Sequence, residues 1–157
     1  MQRSRPSTES ALRGGRDEGS ASLEFITAGM LLLVPMVYLV LVMSAVQAGA
    51  LAVEGAARQA ARVFVQGESV PKATAQAQRA IEFALADYGL DAADAVVSVN
   101  CSPRPSECLT RLGTVTVEVG ITVDLPLVPP GLNVDVPLAI PLEASATQQV
   151  SRFRSGR

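Results

Sequence analysis

At 157 residues the chain can build one small domain, and 13 basic residues against 15 acidic ones leave a formal net charge of -2 with no basic face for tracking phosphates. Aromatic residues make up 4% of the chain, too few for stacking bases, so nucleic acid is not an expected partner. With no histidine and two cysteines, a four-ligand zinc site and every His-based nucleophile lack their parts, which argues against a conventional enzyme and against a metal or cofactor centre.

The N-terminal stretch carries Arg3, Arg5, Arg13 and Arg16, and the sequence then runs without a charged side chain from Phe25 to Val53. Its densest part, "MLLLVPMVYLVLVM" from Met30 to Met43, belongs to a helix long enough to cross a bilayer, which needs about 20 residues at a rise of 1.5 Å. The nearest cations after it are Arg58 and Arg62, so the count of basic residues near the ends favours a cytoplasmic N-terminus and an extracytoplasmic C-terminal part. Two other readings use the same stretch. A cleaved secretory signal would end at the small residues Ala48 to Ala50 and release a binding protein near Ala50, but its apolar region normally needs only about 7–15 residues. A plain single-pass anchor accounts for the length and leaves the preceding "GSASLEF" unexplained. Pro35 removes one intrahelical bond, the one to the Leu31 carbonyl, so a bend is expected near it.

Glu24 stands at the mouth of this apolar stretch, where an ionised carboxylate needs a compensating charge: at the centre of a spanning helix the cost is about 2.5–3.5 kcal/mol, falling toward the headgroups. The run Gly19, Ser20, Ala21, Ser22, Leu23, Glu24, Phe25 resembles the class III signal of type IV pilins and pseudopilins. The resemblance implies cutting after Gly19 by a membrane prepilin peptidase, freeing Ser20 as the new N-terminus and leaving the spanning helix attached. It also implies that Glu24 pairs with the freed amine. Ser20 and Glu24 are an i, i+4 step, so the two charges can meet within one chain or between neighbouring subunits.

Beyond the membrane segment the helix is expected to continue through Val65, since no proline interrupts it and alanine favours it. Val53, Ala56, Ala57, Ala60, Val63 and Phe64 fall on one face, with Glu54, Arg58 and Arg62 on the other. That small-residue face suits either packing of the stem on its own head or close approach of neighbouring helices. Gly67 ends the helix, and Ser69 with Pro71 marks a new start. Ala73, Ala77, Ala80, Ile81, Ala84, Leu85 and Tyr88 then form the apolar stripe of a second amphipathic helix, closed by Gly89.

Residues 95–101 and 114–124 have strand character. In the latter Val115, Val117, Val119, Ile121 and Val123 alternate with Thr114, Thr116, Glu118, Thr122 and Asp124. Glu118 and Asp124 share a face and read as solvated strand positions rather than acid/base or calcium groups. A proline-rich connection from Pro126 to Pro141 leads to "LEASATQQVSRF", a third strand with weaker alternation. Cys101 and Cys108 enclose the turn-rich "SPRPSE". Outside the cytoplasm they are expected to form a disulfide; metal binding lacks further ligands, and the spacing is not that of a redox dithiol.

The expected fold is α+β: a long N-terminal transmembrane helix continuing into a stem, a second amphipathic helix, and an antiparallel sheet of about three strands. The expected division is 1–19 leader, 20–66 transmembrane and stem helix, and 67–157 extracytoplasmic head. The start "RDEGSASLEF", the alanine-rich "EGAARQAARVFV" after the membrane segment, and the late cysteine pair before a valine-rich strand together resemble the TadE-like branch of pseudopilins, from tight-adherence (Flp) pilus systems, over roughly residues 16–153. Asp17 and Glu18, directly before the glycine, depart from the usual leader. The resemblance implies a pilin-like minor subunit in pilus assembly, with the prepilin peptidase, other pilin-like subunits and the assembly platform as partners.

Overall fold

The structure, a computed structural model, describes residues 18–128 and 139–154. The chain falls into two compact units, Met1–Val40 and Leu41–Arg157. Helix α1, Glu18–Gln66, is 49 residues long and contains Pro35 without a break in the helix. In the first unit the described side chains from Ala21 to Val37 are all exposed, although most are apolar. An amphipathic helix of a water-soluble fold would show a polar side, and this stretch has none.

The second unit is an α+β head. The part of α1 from Leu41 onward and α2, Val70–Ala86, cover one face of an antiparallel sheet of β1, Val96–Ser102, β2, Thr114–Asp124, and β3, Ala139–Gln149, in the order β1-β2-β3. The alternation expected of β2 is complete: Val115, Val117, Val119, Ile121 and Val123 are all buried, and the residues between them are not. Register places Val117 between Val99 and Ala146, and Val119 between Val97 and Ala144, so one row of apolar side chains crosses all three strands.

Alanine on α1 is what lets a helix lie close to that row. Ala52, Ala56, Ala57, Ala60 and Ala61 are each fully buried, and Val53 and Phe64, each 1% exposed, are the larger side chains of the stem core. Gly49 comes so near Val123 and Leu142 that a methyl group there would meet both at 2.7 Å. The small-residue face is therefore occupied by the protein's own head. Of the residues expected on it, Val63 is half-buried, while Ala52 and Ala61 extend it beyond the expected set.

Helix α2 buries Ala73, Ala77, Ile81 and Leu85, the i, i+4 core of the expected stripe. Tyr88 departs from the expectation and is 47% exposed: the helix ends at Ala86, and the turn that follows carries the ring outward. Gly89 adopts φ 71°, with its N–H on the Ala86 carbonyl and the Leu90 N–H on the Leu85 carbonyl, a Schellman closure that needs a residue free of a Cβ penalty.

The third strand begins earlier than the sequence suggests. β3 starts at Ala139, inside the stretch assigned to the proline-rich connection, and Pro141 pairs with Thr122. Proline is tolerated because β3 is an edge strand, where one side of the backbone needs no partner. The strand also ends at Gln149, short of Phe153. Of the rest of that connection, residues 129–138 lie outside the described residues.

Candidate functional site

The charged edge of α1 is built by the helix itself. Gly19 and Ser20 lie in its first turn, which begins at Glu18. Glu24 and Phe25 follow on the next turn, both exposed, Phe25 at 80%. Among the described residues Glu24 takes part in no ion pair. One turn further on, the Thr27 hydroxyl donates to the Leu23 carbonyl at 2.7 Å, so a polar side chain at the start of the apolar stretch is satisfied within the helix.

From Phe25 to Ser44 the helix offers about 20 residues, roughly 30 Å at 1.5 Å per residue, which equals the hydrocarbon thickness of a bilayer. The next turn brings Ala45 against the head core, and Gly49 is buried in it. The helix over Ala21–Gln66 is long and apolar enough to cross a membrane, with a mean hydropathy of 2.5 in its best window.

The two cysteines expected to pair are joined. Cys101 and Cys108 form a disulfide with a Cα–Cα distance of 5.0 Å, tying the end of β1 to the turn that precedes β2. Within that turn Arg104 pairs with Glu107 at 2.9 Å. Glu118, one of the two carboxylates on the solvent face of β2, accepts a hydrogen bond from the Ser98 hydroxyl at 3.0 Å, a cross-strand contact that accounts for it structurally. Among the described residues no group of three or more Cys, Asp or Glu is placed to hold a metal ion.

A feature without a sequence signal is the hold that Arg154 has on the end of α1. Its guanidinium donates to the carbonyls of Val65 at 3.2 Å and Glu68 at 3.1 Å, and also to that of Gly67. The last carbonyls of a helix have no intrahelical donor, and the cation also suits the negative end of the helix dipole. Arg111 Nε donates to the Arg154 carbonyl at 2.7 Å and fixes the backbone that carries the clamp. Arg154→Ala is expected to lower head stability by about 1–2 kcal/mol in urea unfolding, because it strands charge-assisted acceptors that are partly withdrawn from water. Arg152→Ala serves as the control: Arg152 stacks on exposed Phe153 with 4.6 Å to the ring centroid, and no shift is expected.

At the same junction Lys72 Nζ lies 2.6 Å from Glu68, and that hydrogen bond holds the Glu68 carboxyl below its ordinary range. The contribution is present above the usual carboxylate pKa and fades as pH falls through the lowered one; both groups are fully exposed, so solvent screens it.

Compared with family models, with curated proteins and with solved structures, the chain matches none.

Proposed function

We propose that this chain is a membrane-anchored, TadE-like pseudopilin or minor pilin acting in assembly of a tight-adherence pilus or a related secretion fibre. The observation that carries the reading is the run Gly19 to Phe25 at the start of a helix whose next 20 or so residues are apolar and exposed, enough to cross a bilayer. In this reading residues 1–19 are a cytoplasmic leader, a prepilin peptidase frees the Ser20 amine, and the helix crosses the cell membrane once. The head is then extracytoplasmic, an oxidising setting that suits the Cys101–Cys108 disulfide. Glu24 and the Ser20 amine supply the electrostatic contact, within a chain or to a neighbouring subunit, and the assembly platform and other pilin-like subunits are the partners.

The head's packing weighs against release as a secreted or envelope-attached binding protein. A signal peptidase cut near Ala50 would remove Gly49 from its place against Val123 and Leu142, and Ala45 from the core edge. N-terminal sequencing of the mature chain separates the two: Ser20 or an intact start supports the anchor, and a start near Leu51 rejects it. Glu24→Leu is expected to leave membrane insertion intact and to reduce fibre assembly. Unchanged assembly in that variant removes the role given to Glu24.

A further inference from the structure

The two ends of the sheet differ in chemistry. Where β1 and β3 finish and β2 begins, the chain carries Arg104 and Glu107 in the turn after β1, Arg111 before β2, and Arg154 just beyond β3. At the other end β2 runs out through Leu125, Pro126, Leu127 and Val128, and β3 comes in at Ala139 and Ile140. None of the described residues between Asp124 and Glu143 carries a charged or polar side chain. Leu127 is 79% exposed at φ 64°, a left-handed backbone that leucine rarely adopts, and its side chain stands clear of the core.

We infer that this apolar end is seated in a lipid surface, at the boundary between headgroups and acyl chains, so that the head rests on the bilayer and is not held off it by the stem. The inference rests on the membrane-anchor reading and adds to it a second contact with the same bilayer. Continuity with the apolar stretch of α1 selects the occupant. Leu41 to Ser44, the last turn of that stretch, belong to the same compact unit as the sheet. Val42 is half-buried there, whereas Val34 and Val40, earlier on the helix, are 62% and 59% exposed. Ala45 packs at the edge of the core, and Gly49 lies against Val123 and Leu142. The far end of the stem is held by Arg154, beyond β3, so β3 runs with the stem and β2 runs against it.

Past Val123 the chain of β2 therefore heads back along α1 toward Ser44. Gly49 and Ser44 are about 7.5 Å apart along the helix, and the step from Val123 to Leu127 spans up to about 13 Å of extended chain. Leu127 is thus within reach of the level at which the apolar stretch ends. Charge sets the depth. Asp124, paired with Ala139, is the first described carboxylate back from the tip, and an ionised carboxylate is costly in hydrocarbon. Leu125 to Val128 can enter while Asp124 stays among the headgroups, a depth that matches the about 5–10 Å to which interfacial apolar groups are buried.

The chain has no tryptophan, so one substitution supplies a single reporter. Leu127→Trp, Phe153→Trp and Tyr38→Trp are compared in full-length chain in phosphatidylcholine vesicles, with and without bromine on the upper acyl carbons. Leu127 and Phe153 are both largely exposed, so neither substitution disturbs the core. Leu127→Trp is expected to lose at least about half of its emission to brominated lipid, and to be at least about threefold less accessible to aqueous iodide than Phe153→Trp at the opposite end of the sheet. Tyr38→Trp, within the apolar stretch, reports the anchor. Quenching of Tyr38→Trp without quenching of Leu127→Trp overturns the inference and leaves the anchor reading standing. A blue-shifted but unquenched Leu127→Trp does the same, by placing protein over that side chain, whether another part of the chain or a second copy. Equal quenching of Leu127→Trp and Phe153→Trp overturns a contact confined to this end. An unquenched Tyr38→Trp rejects the anchor reading; quenching of Leu127→Trp in that sample retains the lipid contact, and its absence there rejects both.

Discussion

Phe64→Ala is expected to destabilise the head by about 3–5 kcal/mol, the range for removing a fully buried aromatic side chain from a core that cannot collapse around the cavity. Phe64 is 1% exposed and is the largest side chain that the stem places in a core otherwise lined, from α1, by alanines and Val53. The alanines cannot reach into the space it leaves, and the sheet opposite is fixed by its register. A small domain holds about 5–15 kcal/mol in total, so the variant should sit near the edge of folding. Amide exchange across Val115–Val123 in detergent-solubilised chain is the measurement, and a rise of at least about a hundredfold is the expected result. Phe83→Ala supplies the contrast, because Phe83 is 72% exposed and its loss should change exchange in β2 little. Equal effects from the two phenylalanines would mean that the stem does not pack on the sheet as described.

Replacing Cys101 and Cys108 together with serine is expected to cost about 2–3 kcal/mol, the chain-entropy value for a loop this short. The loss should be unevenly spread. Cys101 sits opposite Val115 on β1, an edge strand joined to the sheet on one side only, while β2 is held on both sides. Exchange protection should therefore fall in Val96–Ser102 before it falls in β2 or β3. An even loss over all three strands would show that the link stabilises the head as a whole and not the attachment of β1.

How much of this was readable beforehand depends on the range over which each feature is determined. The strict alternation of β2 and the i, i+4 stripe of α2 are local patterns. Both appear in the structure, with Tyr88 lost from the stripe because helix termination, not periodicity, governs the last turn. The length and apolarity of α1 are local in the same sense. The start of β3 was misplaced because proline signals a connection when read alone, whereas pairing with Thr122 at a sheet edge accommodates it. Gly49 and Arg154 carried no signal. The first is determined by the approach of Val123 and Leu142, and the second by carbonyls 86 to 89 residues away along the chain. At the charged edge, the residue types of Gly19, Ser20, Glu24 and Phe25 follow directly from the sequence, while the helix starts at Glu18, two residues before the expected start at Ser20. Their chemistry with a neighbour is a property of an assembly, which no single chain contains.

The distance in sequence between Arg154 and the carbonyls it holds has a temporal consequence. Synthesis delivers α1 first, while β3 and the guanidinium clamp arrive only after nearly all of the intervening chain. Until then the stem's alanine seam has only the part of its cover that α2 and β2 supply, and contacts of such long range form late. A growing chain threaded across a bilayer would thus present a sticky, half-built surface to its surroundings, which makes escort by a holding factor most valuable just before the final strand emerges.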